Sequence, residues 1–528
     1  MKPDGGSLIG FGSSGVGGAS FQAFDPARGV HFEPTFSSAI SADVERAVQL
    51  SAAAAPVWAK LPGAKRNQFM RAIADNLEAK ATDLVARAML ETGLPEARLK
   101  GEVARTCGQL RLYGEAAERG DWLDARIETA APDRKPLPKP DHRSMLRPIG
   151  PVVVFGSSNF PFAYSVAGGD TASAFAAGCP VIVKAHPAHP GTSELVGRLI
   201  LHAVRDHGLP EGTFSLLFDG GFEVGQALVK HPLIKAAGFT GSVKGGRALT
   251  DLAAARPEPI PVYAEMGSIN PVFVFAGAIA ERSAALIDGL HASATLGVGQ
   301  FCTNPGLIVV QRSAAAEQFV KDLSAKLAAT PDAPMLTAGI QKNFATNTAT
   351  RASASGVKTI AQAKATQSCS AAPVWFETEA LNFLGNPALS EEIFGPSSLV
   401  VWCKDDAEML EVARHLEGSL TATLLVGADD VSCQQALADV LATKAGRLVL
   451  NGYPTGVEVS HAMVHAGPYP STSDGGRSTS VGTRALIRWA RLICYQNFGE
   501  ALLPPELQSA NPLGLRRLVN GEWKTFAV

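Results

Sequence analysis

The sequence carries little net charge and no block of basic residues. Its 47 lysines and arginines nearly balance 49 aspartates and glutamates, and charged residues make up only 18% of the 528 residues. Because binding to nucleic-acid phosphates requires clustered Lys and Arg, this composition argues against nucleic acid as a partner. The hydrophobic fraction of 46% is that of a globular protein, and a chain of this length is expected to form two or three domains.

Paired cysteines and long apolar runs are also missing. The seven cysteines are odd in number and form no CxxC pair, which argues against a disulfide framework and a cysteine-rich metal site. No apolar run reaches the roughly 18–20 residues that a transmembrane helix needs. The N-terminal stretch MKPDGGSLIGFGSSG also lacks the basic-then-apolar pattern of a signal peptide. We therefore expect a cytoplasmic protein with no metal and no membrane partner.

The spacing of hydrophobic residues changes along the chain. Residues 41–120 show helical spacing, and a polar, proline-bearing stretch follows at 121–147. Short apolar runs then alternate with helical segments up to 266, and a second alternation follows after 270. This pattern predicts an α/β fold with two parallel sheets that bind ligands at the carboxyl ends of their strands. The tail after about 484 is expected to pair with the 121–147 stretch.

The runs that predict strands are rich in β-branched and aromatic residues. They are PVVVF, CPVIVK, TFSLLF, IKAAGF and PVYAEM in the first alternation, and PVFVF, GLIVVQ, SLVVW, TATLLVG and GRLVLN in the second.

Two glycine-rich segments invite comparison with phosphate-binding loops. GSSGVGG (12–18) follows no predicted strand, so a flexible N-terminal loop is the favoured interpretation. FTGSVKGGRAL (239–249) follows a predicted strand and begins a helix, whose free N–H groups could receive a pyrophosphate near Gly241 and Ser242. It is not GxGxxG, so by itself it fits an ordinary turn equally well.

Three segments place reactive side chains beside predicted strand ends or glycines. VGQFCTNPG contains Cys302, YAEMGSINP contains Glu265 at a strand end, and SSNFP contains Asn159 in a loop of the same sheet. Taken singly, a buried structural thiol and ordinary loop or cap residues are the commoner explanations. The buried-thiol explanation also stands for the remaining cysteines, namely Cys107, Cys179, Cys369, Cys403, Cys433 and Cys494.

Together these segments resemble the aldehyde dehydrogenase superfamily, from about residue 20 to 500. The matching motifs, in family order, are SNFP (158–161), VIVKAHP (181–187), FTGS (239–242), EMGSINP (265–271), GQFCTNPG (299–306) and EEIFGP (391–396). The resemblance implies two α/β domains and a small oligomerisation element. On this basis the cofactor-binding domain would comprise 1–122 and 148–266, the catalytic domain 267–475, and the oligomerisation element 123–147 and 484–510.

The resemblance implies a catalytic role for three residues. Cys302 would be the nucleophile that adds to the aldehyde, and the Asn159 amide with the Cys302 backbone N–H would hold the oxyanion. Glu265 would be the general base for the water that hydrolyses the thioester.

The resemblance also implies a site for NAD or NADP. The cofactor contacts would come from Phe155, Lys184, Gly241, Ser242, Met266, Gly267, Glu392 and Phe394. NAD-specific members carry a glutamate three positions after the lysine, where this chain has Pro187. Loss of that carboxylate removes its repulsion of a 2′-phosphate, so both cofactors are expected, with a preference for NADP aided by His186 and Lys184.

Several variant segments resemble one branch of the superfamily. SSNFPFAYSVAGGD, AHPAHPGTSE and HAMVHAGPYPST are similar to the α-ketoglutaric semialdehyde (2,5-dioxopentanoate) dehydrogenases and to a related NADP-dependent fatty-aldehyde dehydrogenase. The expected substrate is therefore 2,5-dioxopentanoate, which would give 2-oxoglutarate. A fatty or general aldehyde is the alternative.

A substrate tunnel is suggested by helical spacing. If 160–175 is helical, Phe160, Tyr164 and Ala167 share one face beside Asn159. Phe301 and Thr303 flank the nucleophile. His461 and His465 are candidates for the entrance, although solvated loop histidines are the favoured interpretation, and no cationic group for the far end of a dicarboxylate can be named.

Other functions remain open at this point. A CoA-acylating relative typically lacks the glutamate base, and a silent structural protein would not need all the motif residues. A cofactor-independent cysteine hydrolase would need a histidine partner for Cys302. A homodimer or homotetramer is expected from the resemblance alone.

Overall fold

The structure is a computed structural model that describes residues 2–14, 17–428 and 430–528. In chain order its strands are β1 (Leu8–Ile9), β2 (Gly12–Ser13), β3 (Ser20–Asp25), β4 (Val30–Ser37), β5 (Arg126–Glu128), β6 (His142–Pro148), β7 (Val152–Phe155), β8 (Val181–Lys184), β9 (Phe214–Leu217), β10 (Ala236–Thr240), β11 (Val262–Glu265), β12 (Pro271–Val274), β13 (Leu307–Gln311), β14 (Ala333–Pro334), β15 (Lys358–Gln362), β16 (Ser370–Ala371), β17 (Val374–Glu379), β18 (Ser397–Cys403), β19 (Ser419–Leu425), β20 (Ala445–Leu450), β21 (Ala490–Gln496), β22 (Arg517–Val519) and β23 (Glu522–Lys524). Its helices are α1 (Ser41–Trp58), α2 (Gly63–Ala79), α3 (Ala81–Thr92), α4 (Glu96–Arg119), α5 (Gly169–Ala177), α6 (Pro190–Asp206), α7 (Glu223–Lys230), α8 (Val243–Ala254), α9 (Ala276–Thr295), α10 (Ala314–Ala328), α11 (Ala338–Ala352), α12 (Ala380–Gly385), α13 (Asp406–His415) and α14 (Val431–Leu441).

The first sheet has the strand order β11-β10-β7-β8-β9-β1-β2. The five strands from β11 to β9 pair in parallel. Along β7, Val152 and Val154 pack into one apolar cluster while Val153 and Phe155 pack into another, so helices bury both faces. All five predicted strands of this sheet are confirmed.

The second sheet has the order β15-β17-β18-β13-β12-β19-β20. Its strands are parallel except β15, which pairs antiparallel with β17. Alternate residues of β12 again enter two clusters, Val272 and Val274 on one face and Phe273 on the other. The five predicted strands of the second alternation are confirmed.

The third sheet joins two distant segments, in the order β21-β6-β5-β22-β23. β21 runs antiparallel to β6 over seven residue pairs, from Ala490↔Pro148 to Gln496↔His142. This pairing confirms that the tail meets the 121–147 stretch. The sheet also includes 517–524, beyond the predicted oligomerisation element, because Leu518 and Val519 pair with β5.

Two local expectations were wrong. The glycine-rich N-terminal segment does follow a strand, since β1 pairs with β9 and with β2 at Gly12–Ser13; Gly15 and Val16 of that segment lie outside the described residues. Residues 160–168 are not helical, because the N–H groups of Phe162 and Ala163 donate to the Glu102 carboxylate, and helix α5 begins only at Gly169. Among the described residues, no helix is both long and apolar enough to cross a membrane.

One connection positions the reactive residues. β11 ends at Glu265, and residues 266–270 lead directly into β12 of the second sheet. A loop from 471 to 473 pairs along the free edge of β11, where the Met266 N–H donates to the Ser471 carbonyl at 2.8 Å and the Ser473 N–H to the Ala264 carbonyl at 3.0 Å. The end of the first sheet, the start of the second and this loop therefore meet at Glu265.

Candidate active site

Cys302 lies in a tight turn after helix α9. Three consecutive residues before it, Gly297, Val298 and Gly299, have φ values between +56° and +63°. For Val298, which is β-branched, this left-handed conformation is strained. A Cβ at Gly299 would lie 2.4 Å from the Gly395 carbonyl carbon, so only glycine allows this close approach. The strained turn places the partly exposed Cys302 beyond the end of the helix.

Asn270 fixes this turn to the sheets. Its side-chain amide donates to the carbonyls of Cys302 at 2.8 Å and Asn304 at 2.9 Å, and its oxygen accepts from Ser268 and Thr421 hydroxyls. Asn270 is fully buried with φ of +48°. Asn270 lies within the motif EMGSINP, but the sequence predicted no role for it.

Cys302, His465 and Glu265 form one contiguous cluster. His465 Nε2 lies 3.5 Å from Cys302 Sγ and 2.8 Å from Glu265 Oε1. His465 is only 1% exposed, so the favoured interpretation of a solvated loop histidine was wrong for this residue, whereas His461 is exposed. His465 is buried because its loop follows the edge of β11, a long-range pairing that local sequence does not reveal.

The His465 loop is held by hydroxyl groups. Ser480 Oγ donates to Glu265 Oε2 at 2.6 Å and lies 3.1 Å from the His465 carbonyl oxygen. The His465 N–H donates to Thr479 Oγ1 at 2.9 Å. Ser480 is a second functional residue that the sequence analysis did not identify.

The cluster has opposite effects on its two acidic groups. Burial acts to raise the pKa of Glu265, but the adjacent His465 and the Ser480 hydroxyl outweigh it and lower that pKa. Burial together with the carboxylates of Glu265 and Glu392 raises the pKa of Cys302 well above its ordinary value. At neutral pH the cluster therefore holds an ionised carboxylate beside a protonated thiol.

Sulfur, imidazole nitrogen and carboxylate oxygen lie within 4.8 Å of one another, close enough for one cation, although the sequence predicts no metal.

Asn159 is joined to the cysteine turn. Its Nδ2 donates to the Gln300 carbonyl at 3.0 Å, and its own carbonyl accepts from Arg98 at 2.7 Å. One amide hydrogen is thus used to hold the turn and the second is left for a ligand. The structure brings Asn159, Cys302 and Glu265 into one site, as their family motifs suggest.

Three of the five predicted tunnel residues lie beside this site. The rings of Phe160 and Tyr164 are 5.2 Å apart, Phe160 and Phe301 are 5.3 Å apart, and Tyr164 is 6.0 Å from His465. Ala167 instead belongs to the main core, since the assumed helix is absent. Thr303 is 1% exposed, and its side chain does not face an open passage.

The predicted pyrophosphate turn begins helix α8. Ser242 caps the helix by accepting from the Gly245 N–H at 3.2 Å, and both Gly241 and Ser242 are exposed. The exposed N-terminus of a twelve-residue helix offers free N–H groups and a positive dipole to an anion. Lys184 ends β8, which β7 separates from β10 in the sheet, and burial lowers its pKa against the opposing effect of Asp219.

Other predicted cofactor residues differ in accessibility. Gly267 and Glu392 adjoin each other, since a Cβ at Gly267 would lie 2.3 Å from Glu392 Oε2. Phe394 is partly exposed. Phe155 and Met266 are buried in an apolar cluster, where Phe155 packs against Gly225 of α7 and Met266 against Gly246 of α8. They therefore pack behind the predicted cofactor site.

The other cysteines are mostly structural. Cys107, Cys179, Cys369 and Cys403 are buried, as expected. Cys494 is exposed, which corrects the buried-thiol interpretation: it lies on β21, an edge strand with one side open to solvent. The side chain of Cys433 lies outside the part that the structure describes.

Comparison with known proteins agrees with this arrangement. The aldehyde dehydrogenase family model matches residues 15–479. Alpha-ketoglutaric semialdehyde dehydrogenase 2 of Azospirillum brasilense is 50% identical over 99% of this chain and 100% of its own length. The alpha-ketoglutaric semialdehyde dehydrogenase of Acinetobacter baylyi is 46% identical over 93% of this chain and 94% of its own.

Solved structures show the same fold. PnpE in complex with nicotinamide adenine dinucleotide has a TM-score of 0.80 at 22% identity, covering 94% of this chain and 97% of its own. The aldehyde dehydrogenase KauB from Pseudomonas aeruginosa has a TM-score of 0.80 at 24% identity, with the same coverage. The fold, the cysteine cluster and the family match lead to one conclusion: the chain belongs to the aldehyde dehydrogenase family.

Proposed function

We propose that this enzyme oxidises 2,5-dioxopentanoate to 2-oxoglutarate with NADP or NAD, through a thioester on Cys302. The observation that carries the chemistry is the cluster in which His465 Nε2 contacts both Cys302 and Glu265. The substrate rests on the two nearly full-length relatives, both named for α-ketoglutaric semialdehyde.

Cys302 must lose its proton before it can attack. Its raised pKa means that the thiolate does not form by itself, so a neighbouring base is required. We assign that role to Glu265. His465 Nε2 carries a hydrogen, since a bare nitrogen lone pair 2.8 Å from a carboxylate oxygen would be repelled, and it can donate this hydrogen to the thiolate.

The thiolate sulfur then bonds to the aldehyde carbon, and the carbonyl oxygen becomes an oxyanion. The free N–H of the Asn159 amide and the backbone N–H of Cys302 are assigned to this oxyanion. A bound nicotinamide cofactor supplies the hydride acceptor that converts the adduct into a thioester. The proton that Glu265 took from Cys302 passes to solvent, which leaves the carboxylate ionised. Glu265 then takes a proton from water as the water oxygen attacks the thioester carbon. The C–S bond breaks, the acid leaves as its carboxylate with its proton lost to solvent, and the Cys302 thiolate recovers a proton from Glu265.

The residues present suit a dinucleotide. The exposed N-terminus of α8 would receive the pyrophosphate, Lys184 the adenosine ribose, and Glu392 beside Gly267 the nicotinamide ribose. Pro187 offers no carboxylate to repel a 2′-phosphate, which supports use of both cofactors with a preference for NADP. Burial and the neighbouring His189 and Lys184 lower the pKa of His186 well below its ordinary value, so Lys184 would provide the positive charge.

A homodimer or homotetramer is part of the proposal. The third sheet exposes apolar side chains, including Leu492 at 68% and Trp523 at 50%, and β21 is an edge strand. An exposed edge with apolar residues favours pairing with a second copy. Light scattering after gel filtration should give a dimer or tetramer mass, and Leu492→Arg should lower it.

The reaction is tested by absorbance of reduced cofactor at 340 nm. The panel compares 2,5-dioxopentanoate, glutarate semialdehyde, glycolaldehyde and long-chain aldehydes, with each cofactor and with or without CoA. We expect the highest kcat/KM for 2,5-dioxopentanoate, no need for CoA, and no activity in Cys302→Ala. Preference for long-chain aldehydes would favour a fatty-aldehyde dehydrogenase, a CoA requirement would favour the acylating alternative, and no reduced cofactor would overturn the proposal.

The His465 contact also provides the histidine that a cofactor-independent cysteine hydrolase requires. Hydrolysis of a nitrophenyl ester is the corresponding assay. An ester rate far above the rate of aldehyde oxidation would favour that second candidate function.

A further inference from the structure

Three arginines surround the aromatic residues beside Cys302. The Arg98 guanidinium carbon lies 5.0 Å from the Phe160 ring and 4.8 Å from the Phe301 ring. That of Arg105 lies 5.2 Å from the Tyr164 ring. Arg447 donates to the carbonyls of Pro454 and Gly456. Each arginine is a candidate source of positive charge near the apolar rings of Phe160, Tyr164 and Phe301.

Arg105 is the arginine that makes only long hydrogen bonds. Its contacts to the Val457 carbonyl and the Tyr164 hydroxyl are both 3.4 Å long, and its buried Nη1 has no partner among the described residues. Arg98 Nη1 and Arg447 Nε also lack a partner among the described residues, but Arg98 makes a 2.7 Å bond to the Asn159 carbonyl and lies between the Phe160 and Phe301 rings. A buried guanidinium hydrogen without an acceptor is costly, so an anionic ligand at Arg105 would be favoured.

Arg105 also borders open space. A cavity of about 460 Å³ is lined by Arg105, Leu112, Val457 and Val459. Two carboxylates also line it: Glu115, which is paired with Arg71 at 2.6 Å, and the exposed Glu458. Its other arginine, Arg111, is already paired with Asp75 and Glu78 at 2.6–2.7 Å. The cavity volume lies in the range of small-molecule sites, and Arg105 is its unpaired cation.

The position of Arg105 suits the far end of a short substrate. Tyr164 separates Arg105 from His465, with 5.2 Å from the guanidinium to the tyrosine ring and 6.0 Å from that ring to the histidine. A five-carbon chain spans about 5 Å from first to last carbon, at roughly 3.6 Å for every three bonds. With its aldehyde carbon at Cys302 and its chain directed past the Tyr164 ring, such a molecule would extend toward Arg105.

Glu102 is the carboxylate that interacts electrostatically with Arg105. It interacts with both Arg98 and Arg105, but its Oε1 accepts from two backbone N–H groups of the Phe162–Ala163 turn. The Glu102 carboxylate therefore binds the backbone of the turn as well as interacting with the two arginines. Arg105 Nη1 keeps a hydrogen without an acceptor among the described residues.

We propose that Arg105 binds the carboxylate, or the adjacent 2-oxo group, at the distal end of the substrate and so selects aldehydes that carry an acid about four carbons away. This specificity rests on the proposed function, since it names how the same site recognises a 2-oxo acid. A planar guanidinium can donate two parallel hydrogen bonds to such a group, which an apolar passage cannot.

The test compares two aldehydes of equal length, 2,5-dioxopentanoate and pentanal. In Arg105→Gln we expect kcat/KM for 2,5-dioxopentanoate to fall about 10–100-fold, mainly through KM, while pentanal changes less than about 3-fold. Arg105→Lys should recover part of the loss because it keeps the charge. The control is Arg119→Gln at the exposed end of α4, which should leave both substrates unchanged.

A binding measurement removes dependence on turnover. Calorimetry with 2-oxoglutarate should show weaker binding to Arg105→Lys and Arg105→Gln than to the wild type, and thermal unfolding checks that each variant is folded. Equal losses for both aldehydes, or undiminished binding of 2-oxoglutarate, would overturn the assignment. If Arg105→Gln does not fold, the lysine variant decides by the same two measurements.

The experiments distinguish an error in the proposed substrate from an error in the role of Arg105. A wild-type enzyme that ignores 2,5-dioxopentanoate yet prefers glutarate semialdehyde to pentanal would refute the substrate and retain the role of Arg105. A wild-type enzyme that prefers pentanal to every acid-bearing aldehyde would refute the role of Arg105.

Discussion

Two glutamates flank Cys302, and the protein holds them in opposite charge states. Glu265, at the end of β11, has a lowered pKa because His465 and Ser480 outweigh the effect of burial. Glu392, on the loop before β18, has its pKa raised to about 8 because burial is opposed only by the Ser268 N–H at 3.3 Å.

The difference shows that partners, rather than burial, decide the charge. Both carboxyl groups raise the pKa of Cys302, yet only Glu265 has a nitrogen at 2.8 Å and a hydroxyl at 2.6 Å. An ionised carboxylate suits a general base, whereas a neutral carboxyl suits hydrogen bonding to hydroxyl groups such as those of a ribose. The comparison therefore separates a catalytic glutamate from a binding glutamate.

Glu265→Gln should have the largest effect. Removing the base should lower the steady-state kcat about 10²–10⁴-fold, because hydrolysis of the thioester loses its proton acceptor. Stopped-flow measurement should show that formation of reduced cofactor in the first turnover is slowed as well, because Glu265 is also assigned to deprotonate Cys302. Glu258→Gln, at an exposed glutamate paired with Lys235, is the matched control and should leave kcat unchanged. Full activity in Glu265→Gln would contradict the assignment of the base.

Glu392→Gln should change the pH dependence of stability. The folded-state pKa of about 8 exceeds the ordinary 4.5, so the folded protein binds the extra proton and is stabilised below pH 4.5. That contribution is lost as pH rises from about 4.5 to 8. The glutamine variant lacks this loss. Between pH 5 and pH 8.5 its free energy of unfolding should therefore fall by about 2–5 kcal/mol less than that of the wild type.

Urea unfolding without cofactor at the two pH values measures this difference. Glu391→Gln, at the exposed neighbouring residue, should follow the wild type. Parallel pH profiles for wild type and Glu392→Gln would show that Glu392 is ionised in the folded protein.

His465→Gln should make Glu265 resemble Glu392. Without the imidazole, burial would dominate and the pKa of Glu265 would rise, so the acidic limb of the kcat–pH profile should move to higher pH. Because the base is active only when ionised, kcat measured one pH unit below the shifted midpoint should be about 10-fold lower than in the wild type. The exposed His461 provides the control His461→Gln, and an unshifted limb in His465→Gln would contradict this role.

The fold was largely predictable because its signals are local. Short β-branched runs between helical segments predicted the strands of both sheets, and the tail pairing was also correct. The assumed helix at 160–175 was wrong because Glu102, some sixty residues earlier, takes the N–H groups that would start it. The strands at 517–524 were missed because their pairing partner, β5, is equally short and distant.

The site was predictable only where a motif marked it. Cys302, Glu265 and Asn159 lie in segments of recognisable family form. His465 and Ser480 reach Glu265 through the loop that pairs with the edge of β11, and nothing in their local sequence indicates burial. Arg105 was not predicted either, because in the sequence of α4 nothing distinguishes it from the other charged helical residues.

Ser480→Ala should have the smallest effect and measures the second partner of Glu265. Losing the 2.6 Å hydroxyl contact leaves His465 in place, so the pKa of Glu265 should rise less than in His465→Gln. At the pH where His465→Gln loses about 10-fold, we expect kcat of Ser480→Ala to fall about 3-fold, with little change above pH 8, where the base is ionised in either protein. Ser478→Ala, whose hydroxyl bonds to Asp474 instead, should match the wild type. A loss equal to that of His465→Gln would mean that Ser480 acts by anchoring the His465 loop, because its hydroxyl also contacts the His465 carbonyl.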